Sequence, residues 1–147
     1  MKYSQAGLGR VFILRLEQGD QLPNVIEDFA RTHQISSALV LFLGGADAGS
    51  KIVTGPEDGN ARPPVPMVTD IPGVSEALGV GTIFAGAGQT PKLHMHAAFG
   101  RGEEARAGCT RAGVATWQIG EVIILELVGT SARREVHPET GFELLEV

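Results

Sequence analysis

Cysteine is nearly missing from this chain: Cys109 is the only one. A single thiol cannot close an internal disulfide, so a reducing cytoplasm is the expected compartment. Aromatic residues are few, with six Phe, one Tyr and one Trp. No apolar run approaches the roughly 18 residues of a membrane-spanning helix, so no membrane partner is expected. The opening Met1–Gly7 lacks the apolar core of a secretory signal. Positive charge is also in deficit. Twelve Lys and Arg against 17 Asp and Glu leave a formal net charge of -5, which excludes a general attraction for a phosphate backbone.

The basic motifs that could reverse that conclusion are incomplete. An AT-hook needs an Arg-Gly-Arg-Pro core to enter the narrow minor groove. Gly100-Arg101-Gly102 runs instead into Glu103-Glu104, and Arg62-Pro63-Pro64 lacks a preceding Arg-Gly. Arg133-Arg134, beside Glu135, reads as a solvated basic pair. Gly44-Gly45-Ala46-Asp47-Ala48-Gly49 lacks the Lys-Ser/Thr of a phosphate loop and reads as a tight turn between strands. No Ser-His-Asp or Cys-His nucleophile pattern is present.

What is present suits one folded domain over residues 1–147, long enough to bury a core unaided. Glycine is plentiful, at 20 residues, as in turn-rich proteins with many strands. Residues 9–17 read as a strand. Leu22, Val25, Ile26, Phe29 and Ala30 recur at helical spacing, which predicts a helix over 20–33 with Asp20 as a possible cap and Pro23 in its first turn. Ser37–Leu43 is continuously apolar and reads as a buried strand ending at Gly44-Gly45. An edge-like strand over 49–54 precedes a loop over 55–64. Further strands are expected at 65–69, 75–85, 91–99, 106–115 and 120–128, and two short ones around the Pro/Gly turn of the tail. One helix near the N-terminus followed by many strands predicts an α+β fold with a largely antiparallel sheet.

Histidine is also sparse, yet two of the four, His94 and His96, stand fifteen and thirteen residues before Cys109. The intervening Gly100–Glu104 is polar and glycine-rich, suited to a hairpin turn. A turn centred on Gly102-Glu103 sets Ala98 opposite Ala107, His96 opposite Cys109 and His94 opposite Arg111. His94 and His96 then share one face, with Cα atoms about 6.5–7 Å apart, and Cys109 joins them across the ladder. Leu93, Met95, Ala97 and Phe99 form the opposite, apolar face, which packs on the core. Two imidazoles and a thiolate suit zinc and leave a fourth position open; nickel, iron and copper also fit this donor set, whereas calcium and magnesium prefer oxygen. A one-residue slip of the hairpin would turn Cys109 to the other face.

Gly9-Arg10, Arg15-Leu16, Gly19-Asp20, the helix ending Phe29-Ala30-Arg31, the strand to Gly44-Gly45, Leu93–Ala97, Gly108-Cys109, Gly120-Glu121 and Pro138–Phe142 together resemble the plant and prokaryote conserved (PPC) domain. The resemblance covers essentially the whole chain. It implies an α+β domain that assembles as a homotrimer, of a kind that in prokaryotes stands alone and is often described as DNA-binding. Its prokaryotic members often carry a histidine where Cys109 stands. The fold is also similar to that of acetolactate decarboxylase, whose metal is held by an H-x-H strand and a later histidine.

Two functional readings follow. The first is a metal-binding homotrimer with a regulatory or DNA-associated role, contacting proteins more readily than duplex DNA. The second is a zinc-dependent enzyme, a lyase or hydrolase acting on a small carbonyl or carboxylate. In the second, Glu121 is the candidate acid and Arg111 the candidate carboxylate partner. His33 is expected at the helix C-terminus, where its charge would oppose the dipole. His137 is expected in a turn, and Trp117 in the core or at a subunit interface.

Overall fold

The computed structural model describes residues 1–147 as twelve regular elements and two 3₁₀ turns. In chain order they are β1 (Gly7–Leu16), β2 (Gln21–Leu22), α1 (Asn24–Thr32), β3 (Ser37–Ala46), β4 (Lys51–Pro56), β5 (Pro66–Asp70), β6 (Ser75–Ala85), β7 (Pro91–Arg101), β8 (Glu104–Cys109), β9 (Val114–Val128), β10 (Arg133–Val136) and β11 (Glu143–Glu146). The main sheet runs β1-β9-β3-β6-β7-β8-β4-β5, with β2 beside β9. Every pairing in it is antiparallel. β10 and β11 form a separate hairpin. The α+β expectation therefore holds, with one helix near the N-terminus. No helix is long and apolar enough to cross a membrane.

Alternation sorts the side chains. Val40 and Phe42 on β3, Ile83 on β6, Met95 and Phe99 on β7, and Val122 and Ile124 on β9 all point to one face and are buried. Helix α1 covers that face with Ile26 and Ala30, both fully buried. The carboxylate of Glu27 on the same helix accepts a hydrogen bond from the Leu93 N–H at 2.9 Å, which ties the helix to the start of β7.

The opposite face carries its own residues in ladder rows. One row runs Ile13, Ile123, Leu41, Val80, His96 and Cys109, each opposite the next on the adjoining strand. A second runs Arg15, Glu121, Leu43, Leu78 and Ala98. Ile13 is 82% exposed and Leu78 63%. An apolar sheet face of this kind is thus left open over β1, β9, β3 and β6, and His94, His96 and Cys109 lie at its end.

Several sequence expectations are corrected in detail. The helix begins at Asn24, later than position 20, because Gln21 and Leu22 pair with Ala115 and Val114 of β9. Asp20 does not cap it; its carboxylate accepts the Glu17 N–H at 2.8 Å and closes the preceding turn. Gly44-Gly45 is not a turn but lies within β3, where a side chain on either residue would strike β9 carbonyl oxygens at 2.3–2.5 Å. The turn comes later, at Asp47–Ser50, closed by the Asp47 carbonyl. β4 is not at an edge; β5 is. The strand expected over 106–115 breaks at Cys109, where Thr110–Ala112 curls into a 3₁₀ turn and Gly113 takes φ +106°. The chain then re-enters the sheet as β9 and continues through a bulge at Gln118.

Candidate metal centre

β7 and β8 meet in the expected register: Ala98 is opposite Ala107 and His96 opposite Cys109. Both histidines are exposed on the outer face, while Leu93, Met95, Ala97 and Phe99 are buried on the other. The Nε2 atoms of His94 and His96 are 3.1 Å apart, one ring's N–H donating to the other, with the rings nearly perpendicular at 85°. Cys109 is 3% exposed and unpaired, yet its Sγ lies with the two imidazoles. The three ligand atoms are all within 4.8 Å of one another.

Two local features hold Cys109 in place. Its backbone is flanked by His96 of β7 and Val53 of β4. The residue before it must be glycine, since a Cβ at Gly108 would stand 2.6 Å from the Val53 carbonyl oxygen. Beyond Cys109 the chain leaves β7, and the Thr110 hydroxyl donates to the Met95 carbonyl at 3.3 Å. The ladder therefore ends beside His96, and Arg111 does not pair with His94 as the extended register expects. Arg111 instead reaches the site from the 3₁₀ turn as part of its wall.

The three donors border an open cleft of about 1320 Å³. Its walls come from β4, the β4–β5 loop, β6, the start of α1 and the C-terminal hairpin, including Phe142 and Leu144. Burial is the main influence that pushes the His94 pKa below its ordinary value, followed by the charges of Arg134, His96 and Arg111. His94 is thus biased toward the neutral form that ligates metals. Tetrahedral nitrogen ligands at about 2.0–2.1 Å from zinc are about 3.3 Å apart, close to the 3.1 Å between these two rings. The donor set and spacing fit a transition-metal ion.

The structure does not bring Glu121 to the cluster. It lies on β9, with β3 and β6 between it and β7, a separation of about 14 Å at the usual strand spacing. It faces a smaller pocket with Trp117 and Glu76. His33 follows the last turn of α1, with its ring 4.2 Å from that of Phe29 between centroids. His137 sits in the β10–β11 turn, its Nδ1 3.3 Å from the Thr140 hydroxyl. Trp117 is 38% exposed and not in the core.

One wall residue was missed. Arg134 does not behave as a solvated cation. Its Nη2 donates to the Thr82 hydroxyl at 3.1 Å, its Nε is sealed from solvent without an acceptor, and its guanidinium lines the cleft. Burial lowers its pKa, while Glu143 and Cys109 oppose that shift. The signal was available in the strand rule: neighbours on a strand face opposite ways. Arg133 takes one face and pairs with Glu135, and Arg134 takes the other.

Residues 3–128 match the Plants and Prokaryotes Conserved (PCC) domain. No curated protein gives a match. Among solved structures, a metal-containing protein from Archaeoglobus fulgidus superposes with a TM-score of 0.85 at 23% identity, covering 100% of both chains. A plant- and prokaryote-conserved (PPC) protein from Pyrococcus horikoshii gives 0.82 at 22% identity, again over 100% of both. A candidate DNA-binding protein from Ralstonia eutropha gives 0.71 at 21% identity, covering 92% of this chain and 90% of its own. These likenesses establish a shared fold.

Proposed function

This chain belongs to the Plants and Prokaryotes Conserved domain family, and on that premise we propose that it is a metal-binding module holding one transition-metal ion on His94, His96 and Cys109. The observation that carries this reading is the convergence of three ligand atoms within 4.8 Å at the wall of an open cleft. A thiolate and two imidazoles favour zinc over oxygen-seeking ions. The metal-containing Archaeoglobus fulgidus relative supports the same reading. When bound, such an ion supplies a Lewis acid able to polarise a carbonyl or carboxylate oxygen or acidify a bound water. The residues themselves present an open side to the cleft and exclude water on the core side.

The module assembles as a homotrimer, the state that the family resemblance implies. The exposed apolar residues Ile13, Leu41 and Val80 of one row and Leu78 of the next support a protein-covered sheet face. A regulatory or DNA-associated role is supported by the likeness to a candidate DNA-binding protein. The net charge of -5 favours protein partners over direct duplex contact.

Calorimetric titration with zinc tests the metal reading. One zinc per chain in the wild type, lost in a folded His94→Ala, His96→Ala variant, supports it. Stoichiometric binding that survives both substitutions rejects it. The alternative reading, a zinc-dependent lyase or hydrolase on a small carbonyl or carboxylate, is favoured by Arg111 and Arg134 lining the same cleft.

A further inference from the structure

Arg134 is poorly accounted for as a structural residue. A guanidinium carries five N–H donors, and here the Thr82 hydroxyl is the sole hydrogen-bond partner found for them. No carboxylate lies within ion-pair reach of Arg134 or of Arg111. The Nε N–H is sealed from solvent, so the donors left for a ligand are those of the two Nη groups, of which the Thr82 hydroxyl occupies one. Both arginines border the cleft that His94, His96 and Cys109 share.

The position of Arg134 is set by the ladder. Thr82 is directly opposite His94 on the β6–β7 pair. Thr82 and His94 are thus about one strand spacing apart, roughly 5 Å at the backbone, and the guanidinium is anchored on the Thr82 side of that pair. Arg111 approaches from the turn after Cys109 and is exposed. Two acids also line the cleft. Glu27 is engaged with the Leu93 N–H, and Glu143 is close enough to act on Arg134 through its charge but not to pair with it. Two cations thus border the cleft that holds the donors: Arg134, anchored by Thr82, and the exposed Arg111. The burial that lowers the Arg134 pKa also strengthens its attraction for an incoming charge.

We propose that the cleft beside His94, His96 and Cys109 is a binding site for a small carboxylate, with Arg134 as its principal anion partner and Arg111 as a second. The distance from Thr82 to the histidine row fits a ligand of two to three carbons whose carboxylate meets Arg134. An oxygen on the adjacent carbon then points toward the His/Cys donors. The ligand class is the small 2-hydroxy or 2-oxo acids. A planar fork matches a carboxylate in two contacts, which a lysine ammonium cannot reproduce. Arg134 lies on β10, outside the residues 3–128 that define the family match, so the site draws on the C-terminal hairpin of this chain. The carboxylate site depends on the arginines and not on the metal, while the orientation of the second oxygen rests on the metal reading above.

The test uses glycolate as anion and glycolamide as its neutral analogue, titrated into ¹⁵N-labelled full-length protein, both metal-free and zinc-saturated. Glycolate should bind at least tenfold more tightly than glycolamide and shift the amide signals of Thr82, His94 and Arg134. Arg134→Gln should weaken glycolate at least tenfold and leave zinc stoichiometry unchanged. Arg134→Lys should recover part of the loss, and Arg111→Gln should cause a smaller one. Equal affinity for the two probes, or undiminished glycolate binding in folded Arg134→Gln, overturns the proposal. If Arg134→Gln does not fold, the glycolate-to-glycolamide ratio of the wild type decides. Zinc binding without Arg134-dependent glycolate binding rejects this site alone; glycolate binding to a protein that takes no zinc rejects the metal reading and sustains this one.

Discussion

Cys109 stands directly opposite His96 in the β7–β8 ladder, and both side chains lie on the face away from the hydrophobic core, His96 exposed and Cys109 buried. That pairing decides what the sheet can do chemically. The opposite face of β7 is closed by Met95 and Phe99, so ligands added to the outer face are available without disturbing the packing. At the exposed His94 and His96 ligation is thereby separated from stability, whereas at the buried Cys109 the two are coupled.

Cys109→Ser should keep the fold and lose the sulfur ligand. The side chain is buried at 3% exposure, so exchanging thiol for hydroxyl should cost up to about 2 kcal/mol. Cobalt-loaded wild-type protein should show a thiolate-to-metal charge-transfer band, and the variant should lack it.

Gly108→Ala should be among the most damaging single-methyl additions in the molecule. The new Cβ would meet the Val53 carbonyl oxygen at 2.6 Å, a backbone atom that cannot rotate away. Parting β8 from β4 should cost about 1–3 kcal/mol and weaken zinc binding by moving Cys109. Chemical denaturation and zinc titration of the same sample measure both.

The Arg10–Glu126 pair should leave a signature in acid. Glu126 accepts from the Arg10 backbone N–H, Nε and Nη2, and that contact lowers its pKa to about 2. Because the folded pKa lies below the unfolded one, the pair stabilises the protein fully above the ordinary carboxylate range. The contribution is lost as pH falls through about 2. Arg10 is half exposed, so screening holds the effect of Glu126→Gln to about 1–2 kcal/mol at pH 7. Denaturation curves of variant and wild type should differ at pH 7 and converge toward pH 2.

Assembly should depend on the outer apolar row. Leu41→Glu adds charge to a face that is not the core, since Leu41 is 39% exposed and its neighbours Val40 and Phe42 are buried. Light scattering should report a trimer for the wild type and a smaller, folded species for the variant. A wild type that stays monomeric at micromolar concentration rejects the assembly.

Much of this was legible in the sequence because two simple periodicities carry it. Alternation along Leu93–Phe99 put the histidines on one face, and the polar Gly100–Glu104 turn fixed the register that sets Cys109 opposite His96. What escaped depends on tertiary contact. The end of β8 at Cys109 is set by Gly113 and the Thr110–Met95 bond, which spacing does not reveal. Gly44-Gly45 reads as a turn until the close approach of β9 is seen. Glu121 shares the outer face but lies two intervening strands away, because strand order is not written in alternation. Arg134 reads as solvated until Thr82 and the cleft surround it.

X-ray absorption at the zinc edge, on protein loaded with one equivalent of zinc, reads out the ligation by His94, His96 and Cys109 itself. The metal should be ringed by one sulfur at about 2.3 Å and two imidazole nitrogens at about 2.0–2.1 Å, with one further light-atom ligand. A shell of nitrogen and oxygen alone, or one unchanged by His94→Ala, His96→Ala, would contradict this ligation.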